Sequence, residues 1–274
     1  MRGACDCHAH VCGPASRYPY AAERLYTPED ALPGDYRRML DALGLERGVL
    51  VQPSIYGMDN QALLDALAAD RERLRGVAVV PYDIHARELE KLHQAGVRGV
   101  RLNIVDLKEG KGLLPLDELR RLAVKVKPFG WHVEFLMHVD EFPDLDRQLA
   151  DFPVDVVFGH LGYVNIAKRP SERGFQALLR LMKDGKAWVK LTAPYRLTMS
   201  AMPYRDTDVF ARELVGAAPE RLLWGTDWPH VFIKTSMPED QKLLGLLEHW
   251  VPDREMRKRI LVDHPARLYG FTRP

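Results

Sequence analysis

Cysteine is scarce in this chain of 274 residues: three thiols, Cys5, Cys7 and Cys12, all near the start. An odd number crowded into one short stretch excludes a disulfide framework and suits a reducing compartment. Cys5-x-Cys7 lacks the two-residue gap of a zinc knuckle or redox pair, so these thiols are expected to pack in a buried strand. An excess of one charge is lacking too. The 39 Lys and Arg against 38 Asp and Glu leave a formal net charge of +1, which argues against a nucleic-acid binder and against attachment to an anionic membrane. No apolar run approaches the ~18 residues of a membrane span, and MRGACDCHAH has no apolar core of a signal peptide. No glycine fingerprint of the dinucleotide or P-loop kind follows any apolar run. These absences leave a cytoplasmic protein acting on a small molecule, with a homo-oligomer left open.

What is present is the ordinary mix of a soluble globular chain, 46% hydrophobic and 28% charged, too apolar for disorder. Eight β-branched apolar runs recur: ACDCH at 4–8, RGVLVQ at 47–52, GVAVV at 76–80, VRGVRLN at 97–103, HVEFLM at 132–137, DVVFG at 155–159, AWVKLT at 187–192 and RLLWGTD at 221–227. Their starts lie roughly 30 residues apart, the length of one strand–helix unit. Helical patterns fill the gaps, at 36–43, 59–74, 85–96, 115–130, 141–152, 171–184, 206–217 and 238–250, with a closing segment near 253–263. Eight alternations in this length predict a single (β/α)8 TIM barrel over residues 1–274 rather than an open doubly wound sheet.

A barrel of this kind carries its active site at the C-terminal ends of its strands. The first run ends in Asp6-Cys7-His8-Ala9-His10, and alternation turns His8 and His10 to one face. Two adjacent imidazoles suit a metal, or two hydrogen bonds to one oxygen. The sixth ends in His160, which by itself also reads as a buried core histidine. The eighth ends in Trp224-Gly225-Thr226-Asp227-Trp228-Pro229-His230, where Asp227 is either a helix cap or a buried carboxylate in need of a partner. The fifth continues to His138, on the face shared by His132, Glu134 and Leu136, with a loop-surface position as the alternative. Together, histidines and a carboxylate at four strand ends meet the demand of water activation.

These motifs carry a resemblance. DCHAHVCGP, VLVQPS, GVRGVRLN, GHLG, KLTAPYR, WGTDWPH and the closing HPARLYGF resemble the amidohydrolase superfamily, in particular its 2-pyrone-4,6-dicarboxylate lactonase branch. The resemblance implies hydrolysis of an anionic lactone in aromatic or sugar-acid catabolism. It implies Asp227 as the base for water, and His8, His10 and His160 as donors to the lactone carbonyl. Arg101, Ser54, Tyr26 and Arg196 occupy the positions that hold substrate carboxylates, with Asn103 sharing a face with Arg101. Two departures concern the dicarboxylate pocket: Lys108 alone stands where a further arginine is expected, and Leu136 replaces a tyrosine. A third, His138, supplies a strand-five ligand, so that His8, His10, His138 and Asp227 could hold zinc or manganese. That addition tilts the expectation slightly towards a metal, although the branch itself works without one. A metal-dependent decarboxylase, a sugar-lactone isomerase and a barrel that only binds its ligand are the competing readings.

Overall fold

The computed structural model describes residues 1–106 and 113–272; Lys108 lies outside the described residues. Eight strands form one sheet in sequential order: β1 Cys5–Ala9, β2 Arg47–Val51, β3 Leu74–Ala78, β4 Val97–Asn103, β5 His132–Leu136, β6 Val156–Phe158, β7 Ala187–Leu191 and β8 Leu222–Trp224. Every neighbouring pair is parallel. The backbone beyond β8 returns to β1, with Asp227 N donating to His8 O at 2.8 Å and His10 N to Trp228 O at 2.7 Å. The expected (β/α)8 barrel is therefore present.

Helices α1 Pro33–Leu43, α2 Gln61–Ala69, α3 Ala86–Gln94, α4 Leu116–Val126, α5 Leu145–Leu149, α6 Arg173–Lys183 and α7 Asp208–Ala217 fill the crossovers, and α8 Asp240–Trp250, α9 Arg254–Lys258 and α10 His264–Tyr269 follow β8. Local chemistry sets their ends. Helix α1 opens on Pro33, whose missing N–H costs nothing in a first turn, and stops at Gly44 in the left-handed region (φ 68). Where the elements depart from expectation, competing patterns explain it. Leu74 belongs to β3 although it also fits the periodicity of the helix before it, so α2 is shorter than 59–74. The expected helix at 141–152 is reduced to α5, because Val139–Glu141 turns as a separate 3-10 segment. The closing segment is α9, a π turn at Arg259–Asp263 and α10.

One irregularity positions the site. Asp6 pairs with Gly48 and Ala9 with Leu50, three steps on β1 against two on β2. Such a bulge re-aims the side chains that follow it. Cys5, before it, and Cys7, within it, pack with Val49, Val51, Val77, Val157, Trp188 and Leu223, a cluster that only the barrel interior can assemble from six strands. Leu268, Tyr269 and Phe271, from the end of the chain, close its base. All three cysteines are free and buried, as expected of packing residues. Asp6 instead reaches outward. Its carboxylate accepts from Tyr36 Oη of α1 (3.1 Å), Thr226 N (2.9 Å), Thr226 Oγ1 (2.7 Å) and His8 N (3.1 Å). Burial pushes the Asp6 carboxyl up to about 6 against those hydrogen bonds. Among the described residues, no helix is long and apolar enough to cross a membrane.

Candidate active site

Beyond the bulge, His8 and His10 enter the barrel mouth and meet Asp227. His8 Nε2 lies 3.5 Å and His10 Nε2 3.6 Å from Asp227 Oδ1, and all three side chains are buried. The two carboxylate oxygens have different fates. Oδ2 accepts from Tyr195 Oη at 2.6 Å and from Arg196 Nε at 2.7 Å. Oδ1 has no hydrogen-bond partner, nor does His8 Nε2 or His160 Nδ1. Buried polar atoms left without partners in a native site await a ligand or water. Burial alone would raise the Asp227 carboxyl, but the Arg196 guanidinium outweighs it and holds the group well below the usual carboxylate range. Arg196 is bound in turn, through Nη2, to the Val231 carbonyl at 2.8 Å.

His8 and His160 are neutral. Burial, reinforced by the Lys190 charge, lowers His8 to about 3, and burial takes His160 well below its ordinary value. His10 Nδ1 meets the Val51 carbonyl at 2.7 Å. A carbonyl only accepts, so Nδ1 carries a hydrogen, and a neutral His10 ring then has its lone pair on Nε2.

Backbone geometry at the strand ends is costly. Asp227 (φ 66), His160 (φ 49), Ala193 (φ 49) and His230 (φ 61) are non-glycine residues in the left-handed region. Each such residue costs on the order of 1–3 kcal/mol, and such strain clusters at functional sites.

Other expected residues surround this centre. Arg101, buried on β4, donates from Nη1 to the Gln52 carbonyl at 2.9 Å and leaves Nε without a partner. With Ser54, Tyr26, Arg196 and Leu136 it lines a narrow inner chamber that also exposes His10 and His160. A wider vestibule of about 540 Å³ adjoins it, with Asp106, Tyr163, Arg196 and Phe232 common to both. Asn103 stands apart: its Oδ1 accepts from Val105 N and Asp106 N, both at 2.9 Å, and so builds the turn after β4. His138 also stays outside the centre. Its Nδ1 bonds the Tyr163 carbonyl at 2.7 Å, and its ring borders the vestibule.

Sequence reasoning passed over two groups. Tyr195 bridges Asp227 and His230, lying 2.9 Å from His230 Nδ1, and His230 Nε2 is 3.1 Å from Asp240 Oδ1. Deeper in the barrel, Lys190 on β7 donates to Glu134 on β5 at 2.6 Å, both fully buried. The available signal was a lone charge inside each of two apolar runs, AWVKLT and HVEFLM, which burial tolerates only when the charges pair.

Comparison with known proteins agrees with this arrangement. The amidohydrolase family profile matches residues 5–271. The chain belongs to the amidohydrolase family. Among similar members, a 2-pyrone-4,6-dicarboxylate hydrolase of Comamonas testosteroni is 39% identical over 97% of this chain and 90% of its own. A 4-sulfomuconolactone hydrolase of Rhizobium radiobacter is 37% identical over 98% and 90%. The solved structure of a probable 2-pyrone-4,6-dicarboxylic acid hydrolase of Acinetobacter baumannii, with citric acid bound, superposes with a TM-score of 0.87 at 29% identity, covering 98% of this chain and 100% of that one.

Amidohydrolases often hold a metal, and the donor set can be tested for one. Among the described residues, the ligand atoms of His8, His10 and Asp227 converge, all within 4.8 Å of one another. Ionised Asp227 offers a free lone pair, and Nε2 of a neutral His10 ring would offer another, as a divalent ion requires. His138, the residue that tilted the expectation towards a metal, is not in this cluster.

Proposed function

We propose that this amidohydrolase opens the ester ring of an anionic lactone, carboxylated or sulfonated, with water activated by Asp227. The observation that carries the reading is the free Oδ1 of a buried, ionised carboxylate, faced by two imidazole nitrogens beside an arginine-lined chamber. Water seated there donates one hydrogen to Asp227 Oδ1 and the other to the His10 Nε2 lone pair. This gives His10 the opposite polarity to the donor role expected from the resemblance, because Val51 takes its only ring N–H. His8 and His160 face the lactone carbonyl oxygen as donors and hold the oxyanion as it forms. Asp227 is a weak base, since Arg196 stabilises its charge. It takes the water proton as the water oxygen bonds to the carbonyl carbon, when that proton becomes acidic. Collapse of the tetrahedral intermediate breaks the ring C–O bond, and the leaving oxygen takes the proton back from Asp227. The net change is addition of one water and release of a carboxylic acid.

Arg101, with Ser54 and Tyr26, anchors the substrate's anionic group, and Arg196 contributes mainly by fixing Asp227. A zinc or manganese ion would sit on His8, His10 and Asp227 only if His8 gave up a hydrogen from Nε2, and it would there polarise the carbonyl or acidify water. We assign the chain to the cytoplasm as one domain, in keeping with its free thiols.

The reading is tested on a panel of carboxylated and sulfonated lactones at constant pH, with acid release and bicarbonate followed separately. Hydrolysis releases acid without bicarbonate. Bicarbonate release would point to the decarboxylase reading, and turnover without acid to the isomerase. Asp227→Asn should bind substrate while kcat falls roughly 10²–10⁴-fold, the usual worth of general-base catalysis.

A further inference from the structure

Lys190 sits inside the barrel with its Nζ at 0% exposure of the residue, 2.6 Å from Glu134 Oε2 and 3.1 Å from His8 Nδ1. A buried ammonium and carboxylate at that distance keep their charges, because separating either from the other leaves a bare charge in an apolar medium. Burial pushes the Glu134 carboxyl up, but the Lys190 charge outweighs it and holds the group well below its ordinary value. An ammonium has three hydrogens and no lone pair. Whatever accepts from it must offer a lone pair, so the nitrogen of His8 that faces Lys190 is bare. Glu134 Oε1 also approaches Nδ1, at 3.3 Å. That carboxylate would favour a hydrogen on Nδ1, and Lys190 is the group that opposes it.

We infer that Lys190 is a positioning residue that fixes His8 in the tautomer with its hydrogen on Nε2. This hydrogen then points into the space beside the water on Asp227 Oδ1, where a lactone carbonyl lies when it is attacked. The neighbouring strand end works with the reverse polarity. Val51 O puts a hydrogen of His10 on Nδ1, so that in the neutral ring Nε2 is an acceptor. One imidazole thus serves the carbonyl and the other the water, and the difference is set by what stands behind each ring. The same arrangement opposes a cation at this cluster, because a protonated Nε2 has no lone pair to give.

The experiment is a long-range proton–nitrogen correlation spectrum of histidine-labelled protein, with His8 assigned by its loss in a His8→Asn sample. In the wild type, His8 Nδ1 should resonate as an unprotonated nitrogen and Nε2 as a protonated one. In Lys190→Met, read at a pH of about 9.5 so that Glu134 stays ionised without its counter-charge, Glu134 is left as the charged neighbour of Nδ1, and Nδ1 should become protonated. kcat should fall tenfold or more, with KM within about threefold, because the His8 donor serves the transition state more than the bound substrate. A wild-type spectrum with the hydrogen on Nδ1 overturns the inference and needs no variant to fold. So does a folded Lys190→Met with Nδ1 still bare, or with kcat unchanged. The kinetic arm rests on the lactone-hydrolase reading and the spectra do not, so a protein that opens no lactone leaves the tautomer independently decided.

Discussion

At the scale of single residues, the site assigns different work to side chains of the same type. Arg196 spends two of its nitrogens on Asp227 and on the Val231 carbonyl, whereas Arg101 keeps Nε unpaired and faces the inner chamber. In the proposed reading Arg101 is therefore the residue that meets an incoming anion. Arg101→Met should raise KM strongly across anionic lactones while kcat changes little and the fold persists. Removing one partner of a buried charge pair typically costs ~2–5 kcal/mol, so the expected loss in kcat/KM is thirtyfold or more. An unchanged KM would take Arg101 out of the site. Metal content is likewise decided by single atoms. With the His8 Nε2 lone pair covered by hydrogen, only His10 and Asp227 of the converging cluster remain as ligands, fewer than the three protein ligands of ordinary catalytic zinc sites. Protein purified without chelator should carry well under one zinc or manganese per chain and keep its activity after chelation. Stoichiometric metal with chelator-sensitive turnover would contradict that.

At the scale of elements, the strands were the legible part. VRGVRLN was expected at 97–103 and is β4, and the other strand ends fall close to their apolar runs. That is why Asp227, His160, His8 and His10 could be assigned to the barrel mouth before their contacts were known: strand order and alternation place them there. What stayed hidden depends on register. The bulge in β1 turns His8 and His10 inward after Cys5 and Cys7 have already faced inward, whereas plain alternation would have put Asp6 with the histidines. The Lys190–Glu134 pair depends on β5 and β7 flanking β6, so that their inward side chains meet over it, which no local pattern encodes. His138 shows the converse, a residue of suitable type and spacing whose loop carries it to Tyr163 instead. Closure of β1 onto β8 rests on Asp6, and Thr226 supplies two of its donors. Thr226→Val keeps the shape and removes one of them. It also leaves Trp228 N without its acceptor at 3.0 Å. A hydrogen bond to a charged group is worth about 1.5–3 kcal/mol, and urea unfolding should show a loss of that size. Because the same segment carries Asp227, kcat should fall as well, and a variant of wild-type stability and kcat would show that Asp6 does not hold the two strands in register.

At the scale of the whole molecule, the barrel interior holds histidines and paired charges beside the apolar cluster of Cys5, Cys7 and Trp188. Stability should register this as pH falls. His132, buried beneath Glu134, is lowered by burial from 6.5 to about 4, His8 to about 3, and His160 well below its usual value. Below pH 6.5 the unfolded chain protonates these rings and the folded chain does not, so protons favour unfolding. The loss starts as pH drops through 6.5 and continues until each folded value is reached, about 4 for His132. One unit of difference is worth about 1.4 kcal/mol, so each ring costs roughly 2 kcal/mol at pH 5. Asp6 acts in the opposite sense. Its folded value of about 6 lies above the ordinary 3.8, so it takes up a proton in the folded state first and returns on the order of 1 kcal/mol at pH 5. Glu134 and Asp227, both held low, keep their contribution until pH falls below the ordinary carboxylate values. Urea unfolding at pH 7.5 and pH 5 should therefore show a net loss of several kcal/mol. His132→Asn removes one titrating ring from outside the catalytic cluster, and its loss over the same interval should be smaller by about 2 kcal/mol. If wild type and variant lost stability equally, His132 would have to be protonated inside the barrel, and the Lys190 charge nearby would then have to be offset by more than Glu134 supplies.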